Sequence, residues 1–417
     1  MPGTPSSSYE NTRRPWTGRR VVLGVTGGIA AYKSIQVARD LKRLGATVDV
    51  VLTRSAQKFV APLSFEGVTG RPALTDLWSV EGAALHLKLG RDADVVCIAP
   101  ATADLLARAA QGRADDLITT TLLATRAPVV LCPAMNDGMF SHPQVQENLA
   151  HVRDTLGYSI AGPAVGPLAV GEGVGRGRML EPWQILEHIG RALASDANWT
   201  GRRVVVTGGP TREPLDPVRY LGNRSSGRMG YSIAQAAWRR GASVTLVSGP
   251  TTLADPEGVD MVRVETAREM YEAVESVLPE ADVSVFSAAV ADFRPLDPSA
   301  GKIKKQRTDG ELSIALTENP DVSAGTQAKR RADSVVVGFA LETDDVLANA
   351  RGKLERKGFD FLVANDAGEA GAGFEVSTNR VTILSREGEP EVLPLLSKDE
   401  VAERILDRVA LRLEAAT

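Results

Sequence analysis

The stretch GRRVVLGVTGG at residues 18–28 decides the fold of the first half of the chain, and GRRVVVTGG at residues 201–209 repeats it in the second half. Each stretch is an apolar run that ends in a glycine turn. A helical pattern, a further glycine (Gly45 or Gly241) and a second apolar run follow in each case. That order of strand, turn, helix and strand predicts a βαβ unit with parallel strands. Two such units predict an α/β protein with two Rossmann-like three-layer domains and mainly parallel sheets.

The length of the chain agrees with two domains, because 417 residues exceed the usual size of one. The polar, Ser- and Pro-rich residues 1–16 predict a disordered tail. The sequence Ala-Ser-Asp-Ala-Asn then interrupts the periodic pattern near residue 195. We therefore expect domains at residues 17–192 and 201–417, joined by a linker at residues 193–200.

The composition excludes several classes of protein. A net charge of −4 argues against a nucleic-acid partner. No apolar run approaches the roughly 18 residues that a membrane span needs, so we expect no membrane partner. Cys97 and Cys132 lie inside apolar strand patterns, which favours reduced core residues of a cytoplasmic protein over a disulfide.

The reactive side chains are distributed unevenly. All four histidines and both cysteines lie before residue 190. Chemistry in the second half must therefore use Lys, Arg, carboxylates, amides or a metal ion.

The first glycine turn indicates a phosphate site. Gly27 and Gly28 allow backbone N–H groups at the start of a helix to approach a phosphate. A complete G-x-G-x-x-G pattern is missing, which favours a mononucleotide such as FMN over a dinucleotide. Thr53 and Ser55 follow the next strand and suit phosphate or ribose contacts. The alternatives are a tight turn without a ligand and an ordinary helix cap.

A second candidate site is PAMNDGMF at residues 133–140, which follows the apolar run at residues 127–132. Met135 and Met139 are adaptable apolar packers, and Asn136 can orient an amide because it offers a donor and an acceptor. A core turn is the alternative. The glycine-dense residues 162–179 predict either a mobile lid over this site or a plain loop.

The first half resembles the flavin-dependent cysteine decarboxylases, in particular the phosphopantothenoylcysteine decarboxylases. The resemblance covers residues 17–190 and rests on TGGIAAYK (26–33), His86, APATA (99–103), PAMNDGM (133–139) and GRGRM (175–179). It implies a flavodoxin-like domain with FMN as cofactor, His86 as the catalytic base and Asn136 as the residue that holds the cysteinyl group. The implied FMN contacts are Gly27, Gly28, Ile29, Ala30, Thr53, Ser55, Pro100, Ala101 and Thr102. The implied substrate contacts are Met135, Met139, Gly175 and Arg178.

One position departs from that family. Its flap often reads Ala-Cys-Gly, and the resemblance implies that the Cys assists the final reduction of the substrate. Here the flap reads Ala169-Val170-Gly171. Since Val170 cannot donate a proton, either another group protonates the intermediate or the reduction proceeds differently.

The second half resembles the phosphopantothenate–cysteine ligases over residues 201–410. The matching words are TGGPTREPLDPVR (207–219), NRSSG (223–227), AAVAD (288–292), KIKK (302–305) and GFALET (338–343). The resemblance implies a Rossmann-like ligase domain in which CTP activates phosphopantothenate as an acyl-cytidylate that cysteine then attacks. It implies catalytic roles for Asn223 and Lys302, with Mg²⁺ held mainly through the CTP phosphates. The implied CTP contacts are Gly208, Gly209, Ala288, Ala289, Asp292, Lys302, Lys305, Phe339, Lys353 and Lys357.

The two implied activities are consecutive, because the ligase product is the decarboxylase substrate. We therefore predict a bifunctional enzyme of coenzyme A biosynthesis that uses 4'-phosphopantothenate, L-cysteine and CTP. The resemblance further implies a homo-oligomer with decarboxylase trimers and ligase dimers, which a dodecamer would combine. Two rival hypotheses remain: a flavin decarboxylase fused to an NAD(P)-binding reductase, and a non-catalytic flavoprotein that serves as a regulatory subunit.

Overall fold

Two compact units divide the chain: Thr12–Ala194, the first unit, and Ser195–Thr417, the body of the second unit. The computed structural model describes residues 14–78, 84–304, 312–342, 346–366, 378–386 and 388–415.

The first unit is built on a parallel five-stranded sheet in the order β2-β1-β3-β4-β5, beside which β6 and β7 form an antiparallel hairpin. This strand order is that of a flavodoxin-like fold, and the predicted fold class is confirmed for this half. The strands are β1 Arg20–Val25, β2 Thr47–Leu52, β3 Val95–Ala101, β4 Val129–Pro133, β5 Ser159–Ile160, β6 Ala164–Pro167 and β7 Val174–Arg178. The helices are α1 Ala31–Arg43, α2 Pro62–Thr69, α3 Leu85–Asp92, α4 Ala103–Ala110, α5 Leu117–Ala124, α6 Asp137–Phe140, α7 Pro143–Ala150 and α8 Pro182–Ala194.

Helices cover both faces of this sheet. In α1 the apolar side chains of Val37, Ala38 and Leu41 are buried on one stripe, as the helical period requires. Cys97 and Cys132 are free and fully buried, with their sulfur atoms 4.0 Å apart. The contact with Cys97 and the burial both raise the pKa of the Cys132 thiol. The prediction of reduced core cysteines therefore agrees with the structure.

The second unit is built on an eight-stranded sheet in the order β12-β11-β8-β13-β16-β17-β19-β20. Its first six strands are parallel and the last two extend the sheet in antiparallel fashion, so this half is Rossmann-like as predicted. The strands are β8 Arg203–Gly208, β9 Glu213–Pro214, β10 Tyr220–Leu221, β11 Ser243–Ser248, β12 Asp260–Arg263, β13 Val283–Phe286, β14 Phe293–Pro295, β15 Leu316–Glu318, β16 Val335–Glu342, β17 Phe361–Asp366, β18 Thr378–Asn379, β19 Val381–Ser385, β20 Glu391–Val392 and β21 Leu396–Ser397. The helices are α9 Arg228–Arg239, α10 Ala267–Val277, α11 Val322–Gly325, α12 Val346–Arg356 and α13 Lys398–Glu414.

Two tryptophans that the sequence assigned to the tail and the linker, Trp16 and Trp199, are packed in the two units. Trp16 packs against the core of the first unit, and its N–H donates to the carbonyl of Leu44 at 3.0 Å. Trp199 is fully buried in the core of the second unit. Both tryptophans have polar neighbours in the sequence, so the hydrophobic pattern did not assign them to a domain core. Burying so large an apolar side chain is nevertheless strongly favourable.

We predict that Asp49→Ala destabilises the first unit. Asp49 is buried on β2 and pairs with Arg20 at 2.8 Å and with Arg71 at 2.7 Å. Removing the buried carboxylate leaves two partly exposed guanidinium groups with fewer partners, although Arg20 keeps Asp92 at 3.1 Å, and we expect a cost of about 2 kcal/mol. Native-state hydrogen exchange of the β1 and β2 amides measures the free energy of opening.

Asp154→Ala is the matched control. Asp154 pairs only with its neighbour Arg153 at an exposed position, where solvent screens the attraction. Equal protection of β1 and β2 in the two variants would contradict a stabilising role for the buried pair.

Candidate active sites

Each sheet has one point at which its strand order changes direction, and the predicted site residues gather there. In the first unit this point lies between β1 and β3, and in the second unit between β8 and β13. A crevice opens outside the carboxyl ends of such strands. In the first crevice, the buried Thr26 hydroxyl donates to the carbonyl of Pro100 at 2.6 Å. In the second, the buried Thr207 hydroxyl accepts the N–H groups of Ser287 and Ala288 at 3.1 and 3.2 Å.

The first crevice is a cavity of about 1130 Å³. Small-molecule sites usually measure about 300–1,000 Å³, so this cavity has room for a cofactor together with a substrate arm. Its walls include the glycine turn, the end of β2, the start of α4, the loop after β4 and the β6–β7 flap.

Most of the residues that the sequence predicted for this site line the cavity. They are Gly27, Gly28, Ile29, Ala30, Thr53, Ser55, Thr102, Met135, Asn136, Met139 and Arg178. Four predicted residues are not among the lining residues: His86, Pro100, Ala101 and Gly175. Pro100 lies behind Gly28, and Ala101 is buried in β3.

The glycine turn can hold a phosphate. A Cβ at Gly27 would lie 2.4 Å from Cβ of Ser55, so only glycine lets the turn approach the end of β2 this closely. No side chain caps the N-terminus of α1. The N–H groups of Ala31 and Lys33 donate to the carbonyls of Gly28 and Ala30 at 3.0 Å, so the N–H groups of the glycine turn itself are the ones that can face an anion. Thr53 has a local structural role, since its hydroxyl accepts the N–H of Ala56 at 3.1 Å. The N–H groups of the glycine turn fit the phosphate of FMN.

The flap is fastened to the loop that carries Asn136. The N–H of Met135 donates to the carbonyl of Gly177 at 3.0 Å, and a Cβ at Gly177 would lie 2.2 Å from the Met135 oxygen. The Asn136 Oδ1 caps α6 by accepting the N–H of Gly138 at 2.8 Å. Asn136 is thus both a turn residue and a cavity residue, with its amide plane fixed so that Nδ2 can donate to a ligand. Val170 is fully exposed at the flap tip and also lines the cavity.

Ion pairs at two places beside the cavity were missed by the sequence analysis, although it did select Arg178 itself. At one, Glu181 pairs with Lys33 at 2.9 Å and with Arg178. Burial lowers the pKa of Lys33. At the other, Arg108 pairs with three carboxylates: Asp104 at 3.1 Å, Asp115 at 3.0 Å and Asp116 at 2.6 Å. Helical spacing gives a signal only for the Asp104–Arg108 pair, which is four residues apart in α4. The pairs of Arg108 with Asp116 and of Lys33 with Glu181 join separate parts of the chain, for which periodicity carries no signal.

His86 lies outside the lining of the cavity. It is the second residue of α3, and its Nδ1 is buried without a hydrogen-bond partner in the described part of the chain. Its catalytic role stays a prediction.

In the second unit, three predicted segments meet at the crevice. The N–H of Ala289 donates to the carbonyl of Gly209 at 2.9 Å. The Asn223 side chain donates to the carbonyl of Val290 at 2.8 Å. The glycine turn, the NRSSG loop and the AAVAD loop therefore share one wall.

A segment that the sequence analysis did not select joins the remaining predicted residues. The N–H of Asn319 donates to the carbonyl of Asp292 at 2.8 Å. Two residues further, Asp321 pairs with Lys357 at 2.9 Å. Lys353 lies in α12, about one turn before Lys357, which follows the end of that helix. The only sequence signal for this segment is Asn-Pro-Asp directly after a short apolar run.

The last three predicted residues are less closely connected. Phe339 is half-buried and packs against the main core of the unit. Lys302 is exposed, and Lys305 lies outside the described residues. The loop of Lys302 is nevertheless held, because Ile303 donates its N–H to Asp216 at 3.1 Å and its carbonyl accepts from Arg219 at 2.9 Å.

Two further features are absent from the described residues. No group of three or more His, Cys, Asp or Glu side chains there is arranged to hold a metal ion. None of the helices in those ranges is long and apolar enough to cross a membrane.

Comparison with known proteins gives matches over both units. The flavoprotein family model matches residues 9–194, and the model of the DNA/pantothenate metabolism flavoprotein C-terminal domain matches residues 199–412. The chain is 45% identical over 394 residues to the coenzyme A biosynthesis bifunctional protein CoaBC of Vibrio cholerae, covering 93% of this chain and 97% of that protein. It is 44% identical over 398 residues to CoaBC of Escherichia coli K12, covering 95% and 97%. A crystal structure of the C-terminal domain of CoaBC is 39% identical and covers 53% of this chain and 100% of that chain, with a TM-score of 0.45.

We predict that Gly177→Ala weakens flavin binding. The new methyl group would press on the Met135 carbonyl oxygen at 2.2 Å, so the flap must move off the cavity. We expect the dissociation constant for FMN to rise about tenfold, as measured by quenching of flavin fluorescence. The control is Gly67→Ala on α2, where the methyl group meets nothing within 4 Å. Equal affinity in both variants would show that the flap is not a wall of the flavin site.

We predict a pH-dependent effect of Asp216→Asn. Hydrogen bonds from Arg219 and from backbone N–H groups hold the pKa of the buried Asp216 carboxyl well below its usual range. A depressed pKa gives stability that is present above the unfolded pKa, about 4 for Asp, and that is lost as the pH falls through the folded value. The melting temperature of the variant should therefore lie below that of wild type at pH 7. The difference should shrink progressively as the pH falls below about 4. A constant difference at every pH would contradict this account.

Proposed function

The chain belongs to the bifunctional proteins of coenzyme A biosynthesis, and from this premise we propose how its two units divide the work. The enzyme joins 4'-phosphopantothenate to cysteine and decarboxylates the product to 4'-phosphopantetheine. Family membership of both halves removes the two rival hypotheses, the reductase fusion and the non-catalytic subunit. The observation that supports the proposal is that most motif residues of the first unit line one cavity, while hydrogen bonds join the glycine turn, the NRSSG loop and the AAVAD loop of the second unit.

The first unit carries the decarboxylase. The glycine turn binds the phosphate of FMN, which supplies the oxidation of the substrate thiol and the later return of electrons. Asn136 orients the cysteinyl carboxylate through its fixed amide, while Met135 and Met139 exclude water from it. Val170 cannot give the proton that the final reduction needs, so another group must supply it. Glu172 lies on the same flap and lines the cavity.

We further propose that the decarboxylase is completed by a neighbouring copy. His86 is outside its own cavity and keeps a buried, unpartnered Nδ1 within the described part of the chain. Large apolar side chains at the cavity, Ile29 and Trp78, are strongly exposed. Contact between copies would cover these side chains and bring His86 to the cavity of the next chain. First-unit trimers and second-unit dimers would close together in an assembly such as a dodecamer.

The second unit carries the ligase, for which we propose CTP as the activating nucleotide. The cytidine would lie against Ala288, Ala289 and Asp292, and the triphosphate near Lys353 and Lys357. Lys302 would stabilise the charge that develops as the carboxylate of phosphopantothenate attacks the α-phosphate. Mg²⁺ would be held mainly through the phosphates.

Gly208 and Gly209, at the end of β8, would also contact CTP. The Asn223 side chain donates to the carbonyl of Val290 in the AAVAD loop. Asn223 would hold the acyl-cytidylate while the amine of cysteine attacks. We place this enzyme in the cytoplasm on the strength of its two free thiols.

One experiment tests both halves. The FMN-loaded protein is given phosphopantothenate, cysteine, CTP and Mg²⁺, and the products are followed by mass spectrometry. Wild type should form 4'-phosphopantetheine. His86→Asn should accumulate phosphopantothenoylcysteine, and Asn223→Asp should accumulate the acyl-cytidylate.

His151→Asn is the matched control for the first variant, because His151 is exposed and lies away from the cavity lining. It should behave as wild type. Normal turnover by either site variant would remove the role proposed for that residue, and a wild type equally active without CTP would remove the role of the nucleotide.

A further inference from the structure

Arg330 occupies an unusual position in the second unit. Its guanidinium carbon lies 5.1 Å from the centre of the Phe286 ring and 5.7 Å from that of Phe359. One Nη donates to the carbonyl of Lys357 at 3.0 Å, and the other donates to the carbonyl of Ser323. Arg330 therefore bridges the end of α12 and the short helix α11 through their backbones.

The same two segments are bridged a second time by side chains. Lys357 pairs with Asp321 at 2.9 Å, and Asp321 caps α11 by accepting the N–H groups of Ser323 and Ala324. Asn319, which lies on the same segment, donates to the loop of Asp292. A fixed separation of α11 and α12 therefore also fixes Lys357 relative to the AAVAD loop.

Stability alone is a poor reason for an arginine at this place. Its Nε is buried and has no partner among the described residues, and burial lowers the pKa of Arg330. An unpaired buried donor and a desolvated cation both cost free energy that an apolar side chain between two rings would not. An arginine instead supplies directional hydrogen bonds, because its two Nη groups hold two carbonyl groups at a fixed distance from each other.

We propose that Arg330 is a positioning residue of the ligase, which holds Lys357 and the Asn319–Asp321 segment as one preformed wall for CTP. The inference rests on the proposed CTP site. When the phosphates engage Lys357, they compete with Asp321 for its ammonium group, and the side-chain bridge weakens. The backbone bridge through Arg330 then keeps the wall in place, so that binding free energy is not consumed in ordering it.

The test is steady-state CTP-dependent pyrophosphate release by the full chain with phosphopantothenate, cysteine and Mg²⁺. Arg330→Met should raise the KM for CTP about tenfold, with kcat and the KM for phosphopantothenate within about twofold of wild type. Lys357→Met should raise the KM for CTP as well. Because Arg330 acts through Lys357, the KM for CTP of the double variant should lie within about twofold of that of Lys357→Met alone.

Arg331→Met is the matched control. Arg331 is exposed and pairs with Asp282 and Asp333 instead of bridging α11 and α12. The KM for CTP of the Arg331→Met variant should therefore equal that of wild type. Should Arg330→Met fail to fold, Arg330→Lys decides, with a KM for CTP expected above that of wild type. A lower melting temperature with an unchanged KM for CTP, or additive effects in the double variant, would overturn the inference and leave the CTP site standing. No pyrophosphate release by wild type would overturn both.

Discussion

One buried threonine hydroxyl in each unit ties together the two strands between which the sheet changes direction. Thr26 donates to the carbonyl of Pro100, and Thr207 accepts the N–H groups of Ser287 and Ala288. The helices on either side of this point run to opposite faces, so a crevice has to open there. The hydroxyl joins the two strands that form the floor of the crevice, and the loops that carry the proposed site residues surround the crevice. Two chemistries are thus built on one geometric constraint.

The two crevices differ in the side chains that line them. The first combines an uncapped helix N-terminus with an amide and two methionines, which suits a flavin phosphate and a flat, partly apolar reaction site. For the second we propose a wall of small residues, an asparagine and lysines, in a half of the chain without His or Cys. Phosphoryl chemistry requires charge stabilisation more than proton transfer, so this set is sufficient for it. The ligase product is then the substrate of the flavin-dependent unit.

Local sequence predicted the fold and those site residues that follow a strand directly. The repeated strand and glycine turn indicated both sheets, and parallel strands bring their carboxyl ends to one edge, so Asn136 and Ala289 could be placed. Residues joined across separate elements could not be placed. Arg108 meets Asp116 only because α4 and α5 are neighbours, and Lys357 meets Asp321 only through α11 and α12. Trp199 was assigned to a linker because its neighbours are polar, whereas its ring is fully buried.

The central claim is that one chain forms the amide bond and then removes the carboxyl group of the same cysteine. It is tested most directly with cysteine that carries ¹³C in its carboxyl group, given to the FMN-loaded chain. Labelled CO₂ should appear only when CTP and phosphopantothenate are both present, in an amount equal to the pyrophosphate released. Labelled CO₂ without CTP, or pyrophosphate without labelled CO₂, would contradict the claim.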